Sequence, residues 1–363
     1  MVTESYYCPP ICKHRNASGK LPDKIKNIKY QVKKATNCSA ASCSKGSSFI
    51  RSQEQITHPA KLKGSCDLNN PAIKSAIACL KHDGTESWPE ILRNWSVTHF
   101  LRFQYLRKTR PLASQAERES SSQVSQDSDV LVNDYLKNWN VLQLPNAYLL
   151  IQQDFKELYP GREDGLMSKW DITKNALIDL LKAEISKSDQ YGRKLLTDVI
   201  ATDADKNDVI LFHLLPSLCC KRTRGASVGV SSVAEAVKAF ILHVPIPGDL
   251  NRQINTYRKW LANRGLNLQP MLIFVGPNLS NINASYVQID TVRYQLCTPL
   301  KALDTCFKAF QALDAAYPEE CCAVWFFIQK YFYDLYLEED EQIPRVTNVI
   351  SSLKGLVSKI NTN

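Results

Sequence analysis

Near the start of the chain, Cys8-Pro9-Pro10-Ile11-Cys12-Lys13-His14 and Cys38-x4-Cys43 set thiols and an imidazole in two close groups. Zinc takes four such ligands in a tetrahedron, and short loops between ligands meet that need. Cys8, Cys12, His14, Cys38 and Cys43 are therefore the candidate metal set. Such a site can fold a short segment that has no core of its own. The spacing differs from standard fingers: C-x3-C precedes C-x4-C, and the paired histidines of a Cys2His2 finger are missing. Scattered thiols, or a decayed finger, are the competing reading. No cofactor other than zinc is expected.

The same stretch holds the excess charge. Residues 1–66 carry twelve basic and three acidic side chains, whereas the remaining residues balance at 33 of each. The whole net charge of +9 thus belongs to this segment. Lys24, Lys26, Lys29, Lys33 and Lys34 are its densest run and the candidate nucleic-acid contacts. Lysines neutralise phosphates with an affinity that falls steeply as salt rises. Against this, the lysines are dispersed and aromatics are scarce after Tyr30, as in a solvated tail.

Other chemistry-bearing groups are weaker. Asp203, Asp205 and Asp208 cluster in ATDADKND, and Asp290 stands alone. Two-metal phosphoryl transfer would need such carboxylates fixed on rigid elements, but the cluster reads as an interhelical loop with capping aspartates and Asp290 as a turn residue. His99, His213 and His243 each lie in apolar patterns and read as buried, hydrogen-bonded histidines. Gly276 follows a strand where a phosphate loop would sit. It is a lone glycine, however, and Pro277 after it removes a backbone donor. A chain reversal is expected there. Cys219-Cys220 and Cys321-Cys322 are adjacent pairs, expected as small core residues because adjacent cysteines make strained disulfides.

The elements that must position these groups are mainly helical. Asn70-Pro71 and Ser87-Trp88-Pro89-Glu90 start two helices, the second closing at about 107–110. Residues 112–129 are a Ser- and Gln-rich linker. Helical patterns follow at 130–139, 148–158, 166–185, 191–200 and 208–218. Ser231/Ser232 cap a helix over 233–242, and Pro247-Gly248-Asp249 opens another that ends at Gly265. Strands are expected at 271–275, 286–289 and 292–296, with a turn at Asp290-Thr291. Three helices close the chain, beginning at Thr298-Pro299, at Pro318 and near Val346. The second of these, 318–336, is apolar nearly all round; that suits a core helix, with a protein-binding surface as the alternative.

Two longer stretches carry a resemblance. LIQQDFKELYPGREDGLMSKW has Asp154-Phe155, Tyr159-Pro160 and Trp170; further on come Leu214-Leu215-Pro216, Ile289-Asp290 and the Phe-Lys-Ala-Phe and Tyr-Pro pairs within 307–318. Over about residues 69–340 the chain resembles a multi-copy group of animal proteins, which itself resembles the C-terminal region of sterile alpha motif domain-containing protein three-like proteins. The copy number of that group implies spread by a transposable element. No sterile alpha motif is visible here, so its self-association chemistry does not carry over. The resemblance implies a fold neighbourhood and no activity.

The expected fold is mainly α (α+β), a helical body with a small antiparallel β-sheet at about 268–297. The expected divisions are a basic irregular arm at 1–66, a helical segment at 67–111, the linker at 112–129 and the body at 130–363. No run of about 18 apolar residues suggests a membrane span, and the first residues lack a secretory signal pattern. The expected setting is intracellular, nucleus or cytoplasm, with no membrane. The expected function is non-catalytic: an interaction protein of mobile-element origin whose protein partner the sequence does not name. The alternative is nucleic-acid binding through residues 1–66.

Overall fold

The structure, a computed structural model, describes residues 70–82, 87–108, 132–186, 189–201, 208–220, 232–338 and 340–360. All of them fall within one unit, residues 55–363. The fold is mainly α-helical with a small sheet in the C-terminal part.

Helix α1 (Pro71–Lys81) starts as its residues require: the Asn70 side chain accepts from Ala72 N at 2.9 Å, and Pro71 occupies a position whose N–H would be orphaned anyway. Helix α2 (Trp88–Lys108) follows Ser87, whose hydroxyl donates to Glu90 Oε2 at 2.8 Å. Its buried stripe runs through Ile91, Trp95, Thr98, His99, Arg102, Phe103 and Leu106. Helices α3 (132–138), α4 (Tyr148–Leu158), α5 (Gly165–Glu184), α6 (Gln190–Ala201) and α7 (Asp208–Cys219) follow. Helix α5 runs unbroken from Gly165 to Glu184. Helix α7 is buried on every side except near Asp208 and His213, as its almost wholly apolar sequence demands.

Helix α8 (Val233–Phe240) has a complete capping box between Ser232 and Glu235. It stops two residues before the expected end. Ile241–Val244 is strand β1, which pairs in parallel with β2 (Met271–Val275). Helix α9 (Leu250–Ala262) makes the crossover that parallel pairing needs. Strands β3 (Ala284–Ile289) and β4 (Val292–Leu296) complete the antiparallel part, in the order β1-β2-β3-β4. The sheet is therefore mixed, and the expectation of a wholly antiparallel one is corrected at β1. The partner of β1 lies beyond a whole helix, and local periodicity carries no trace of it.

All five residues of β2 are buried, and their alternation serves two cores. Leu272 and Phe274 join the main cluster; Met271, Ile273 and Val275 join Leu250 and Ile254 of α9 on the other face. Helix α10 (Pro299–Ala312), capped by Thr298 Oγ1 on Lys301 N at 3.1 Å, packs on β2, β3 and β4. Helix α11 (Cys322–Tyr331) starts four residues after Pro318, and α12 (Pro344–Ile360) ends the described chain. Trp325, Phe327, Phe332 and Tyr333 are buried, so these rings belong to the core, whereas Phe326 is half-buried. Trp95, Trp170 and Trp325 are also buried in the same cluster, and truncating any one to Ala costs about 3–5 kcal/mol.

Candidate functional site

Cys8, Cys12, His14, Cys38 and Cys43, together with Lys24, Lys26, Lys29, Lys33 and Lys34, lie outside the described residues, as do the 112–129 linker, Asp203 and Asp205. Among the described residues no group of three or more His, Cys, Asp or Glu side chains could hold a metal ion.

His99 is buried and hydrogen-bonded, as its sequence context suggests, but its partners Asp154 and Arg102 were not expected from sequence. His99 and Arg102 share the buried stripe of α2, and Asp154 projects from α4. His99 Nδ1 lies 3.0 Å from Asp154 Oδ1, and Arg102 Nη2 donates to the same oxygen at 2.5 Å. Arg102 Nη1 donates to Trp95 O at 2.6 Å and to Thr98 Oγ1. The guanidinium lies 3.4 Å from the centre of the Trp95 ring, a cation–π contact. An ionised carboxylate only accepts, so Nδ1 of His99 is the donor and Nε2 is left without a partner. Phe103, Leu106, Tyr135 and Ala312 wall in that side. The only hydroxyl on those walls is that of Tyr135, whose pKa burial raises far above its usual range. The arrangement is a histidine–carboxylate pair closed by Arg102. Its evident work is to tie α2 to α4. A charged residue on an apolar stripe, three positions after a histidine, was the available signal in the sequence.

Other buried charges also close on one another. Asp304 of α10 accepts from Lys308 Nζ at 2.9 Å, from Lys301 Nζ at 3.2 Å and from Tyr333 OH at 2.8 Å. Burial lowers the Lys308 pKa, and the Asp304 charge opposes that shift. Asp208, read as a capping aspartate, begins α7 and meets Lys174 Nζ and Trp170 Nε1, each at 2.8 Å. Gln329 donates to Asp340, which also faces Lys330 at 3.7 Å.

The stretch after β2 reverses the chain. Gly276 N donates to Val244 O at 3.1 Å and Asn283 N to Val275 O at 2.8 Å. A Cβ on Gly276 would sit 2.1 Å from Asn281 O, so glycine is required there by backbone contact. Strand β3, not a helix, follows the turn. His243 Nε2 meets Gly276 O at 2.8 Å. His213, whose pKa is lowered to about 4 chiefly by burial and further by His243, meets Tyr191 edge-on at 6.0 Å. Tyr191 is 60% exposed, and Ile246, two residues beyond β1, is 62% exposed. His213 thus links the exposed Tyr191 to the side of the edge strand β1 that carries His243.

Cys219, Cys220 and Cys321 are buried free thiols and Cys322 is half-buried. Burial raises all four thiol pKa values, those of Cys220 and Cys322 to about 11. They are packing residues, as expected. No described helix is long and apolar enough to cross a membrane.

Compared with known protein families, curated proteins and solved structures, the chain matches none.

Proposed function

We propose that this chain is a non-catalytic interaction protein whose helical body presents an apolar surface to a protein partner. The observation that carries this reading is the rim at β1. Two large apolar side chains, Tyr191 and Ile246, face solvent there; His213 meets the Tyr191 ring, and His243 of the edge strand β1 meets a backbone carbonyl. Exposed aromatic and aliphatic anchors suit an apolar partner surface. The closed ion pairs of the interior support a scaffold role for the body. An intracellular setting, nucleus or cytoplasm, and a mobile-element origin go with this reading. The test is a photo-cross-linking residue at position 191 of the full chain in source-tissue extract. A discrete adduct that Ile246→Asp abolishes is expected; adducts indifferent to Ile246→Asp contradict the reading.

A second reading, nucleic-acid binding through residues 1–66, is favoured by one observation: the whole excess of positive charge resides there. Zinc at Cys8, Cys12, His14, Cys38 and Cys43 would shape that segment. Replacing Lys24, Lys26, Lys29, Lys33 and Lys34 with Gln in the full chain should weaken DNA and RNA binding and flatten its salt dependence. Unchanged binding would remove those lysines from the interface.

A further inference from the structure

The turn between β3 and β4 borders a recess of about 690 Å³, measured out to open solvent. Val132, Leu266, Leu268 and Pro270 give it apolar walls. Three further lining residues come from three different elements: Asn133 of α3, Arg258 of α9 and Asp290 of the turn. Each carries a buried polar atom without a hydrogen-bond partner, namely Asn133 Oδ1, Arg258 Nε and Asp290 Oδ2. Buried polar atoms are nearly always paired, and three together at one recess require a reason.

A purely structural ion pair does not supply it. Arg258 Nη2 donates to the backbone oxygen of Asp290 at 2.7 Å, and Gln288 Nε2 donates to the same oxygen at 2.6 Å. The Asp290 carboxylate stands off, with Oδ1 at 3.8 Å from Nη2, beyond the length of a charge-assisted hydrogen bond. The turn is held by its backbone, at a left-handed φ of +45°, while the opposite charges sit side by side and keep capacity for another group. A ligand that complements these side chains carries an anionic group for the Arg258 guanidinium and a cationic donor for the Asp290 carboxylate and the Asn133 amide oxygen. Both heads must lie within a few ångströms of each other, next to an apolar body.

We propose that this recess binds a free α-amino acid with an apolar side chain, its carboxylate on Arg258 and its ammonium on Asp290 and Asn133. The proposal stands apart from the protein-binding rim and does not rest on it.

The test uses calorimetry on the full chain with L-leucine, 3-methylbutylamine and 4-methylpentanoate, the last two each lacking one head group. L-leucine should bind, and each analogue should bind at least about tenfold more weakly for want of one charge-assisted pair. Asp290→Asn, which tolerates the left-handed backbone, should weaken L-leucine while leaving 4-methylpentanoate unchanged. Arg258→Met should weaken L-leucine and leave the amine unchanged. Equal affinity for all three compounds overturns the proposal, as does failure of L-leucine, L-phenylalanine and glycine alike to bind the wild-type chain at millimolar concentration. Binding of the dipeptide Gly-Leu as tight as that of L-leucine overturns it too, by moving the site to peptide ends.

Discussion

His99 of α2 and Asp154 of α4 stand 55 residues apart in sequence and meet at 3.0 Å inside the protein, with Arg102 on the same carboxylate oxygen. One carboxylate thereby holds two cationic or proton-donating groups from a neighbouring helix. Breaking a buried pair of this kind leaves an uncompensated charge.

Asp154→Ala should therefore destabilise the fold by about 3–5 kcal/mol, read from urea unfolding. The triple variant His99→Phe/Arg102→Met/Asp154→Leu should recover most of that loss, because an apolar replacement leaves no charge behind. A loss below about 1 kcal/mol for Asp154→Ala, the level of an exposed pair, would contradict the assignment.

Gly276 and Gly161 should differ in the cost of a methyl group. Gly276→Ala drives a Cβ into the Asn281 carbonyl and should cost about 2–4 kcal/mol, as overpacking against backbone does. Gly161→Ala meets only the strain of φ +79°, with nothing within 4 Å of the added Cβ, and should cost about 1 kcal/mol. Thermal unfolding of the two variants gives the ranking, and equal costs would refute the close approach at Gly276.

His213 predicts a pH dependence. Its folded pKa, lowered to about 4, lies below the ordinary value of 6.5. The unfolded chain thus binds the proton first, and stability falls as pH drops from 6.5 toward about 4. The slope is about 1.4 kcal/mol per pH unit within that window. His213→Gln should remove this part of the slope and leave the rest of the acid profile intact. Parallel profiles for wild type and variant would contradict it.

Thiol reactivity should follow burial. Cys297 is exposed, whereas Cys219, Cys306 and Cys321 are buried with raised pKa values. Brief iodoacetamide treatment at neutral pH, read by peptide mass mapping, should label Cys297 first among these four. Faster labelling of Cys219 or Cys321 would show that α7 and α11 open more readily than their packing implies.

The helix starts were legible because their signals are local. Asn70-Pro71, Ser232 with Glu235, and Thr298-Pro299 each cap through side chains within three residues. Gly265 was legible as a left-handed terminus, since only glycine adopts that backbone freely. The hairpin about Asp290 was legible from alternation. What escaped depends on partners distant in sequence. Ile241–Val244 looked like the end of a helix because its parallel partner lies beyond α9. The His99–Asp154 contact and the meeting of Asn133, Arg258 and Asp290 needed the fold itself, since no spacing along the chain joins them.

The most direct test of the proposed function is the yield of the adduct at position 191, with and without Ile246→Asp, at about 50 and about 500 mM salt. Association through the β1 rim predicts an adduct that survives high salt and vanishes with Ile246→Asp. An adduct that high salt removes and Ile246→Asp leaves intact would contradict it and transfer the binding function to the basic segment at 1–66.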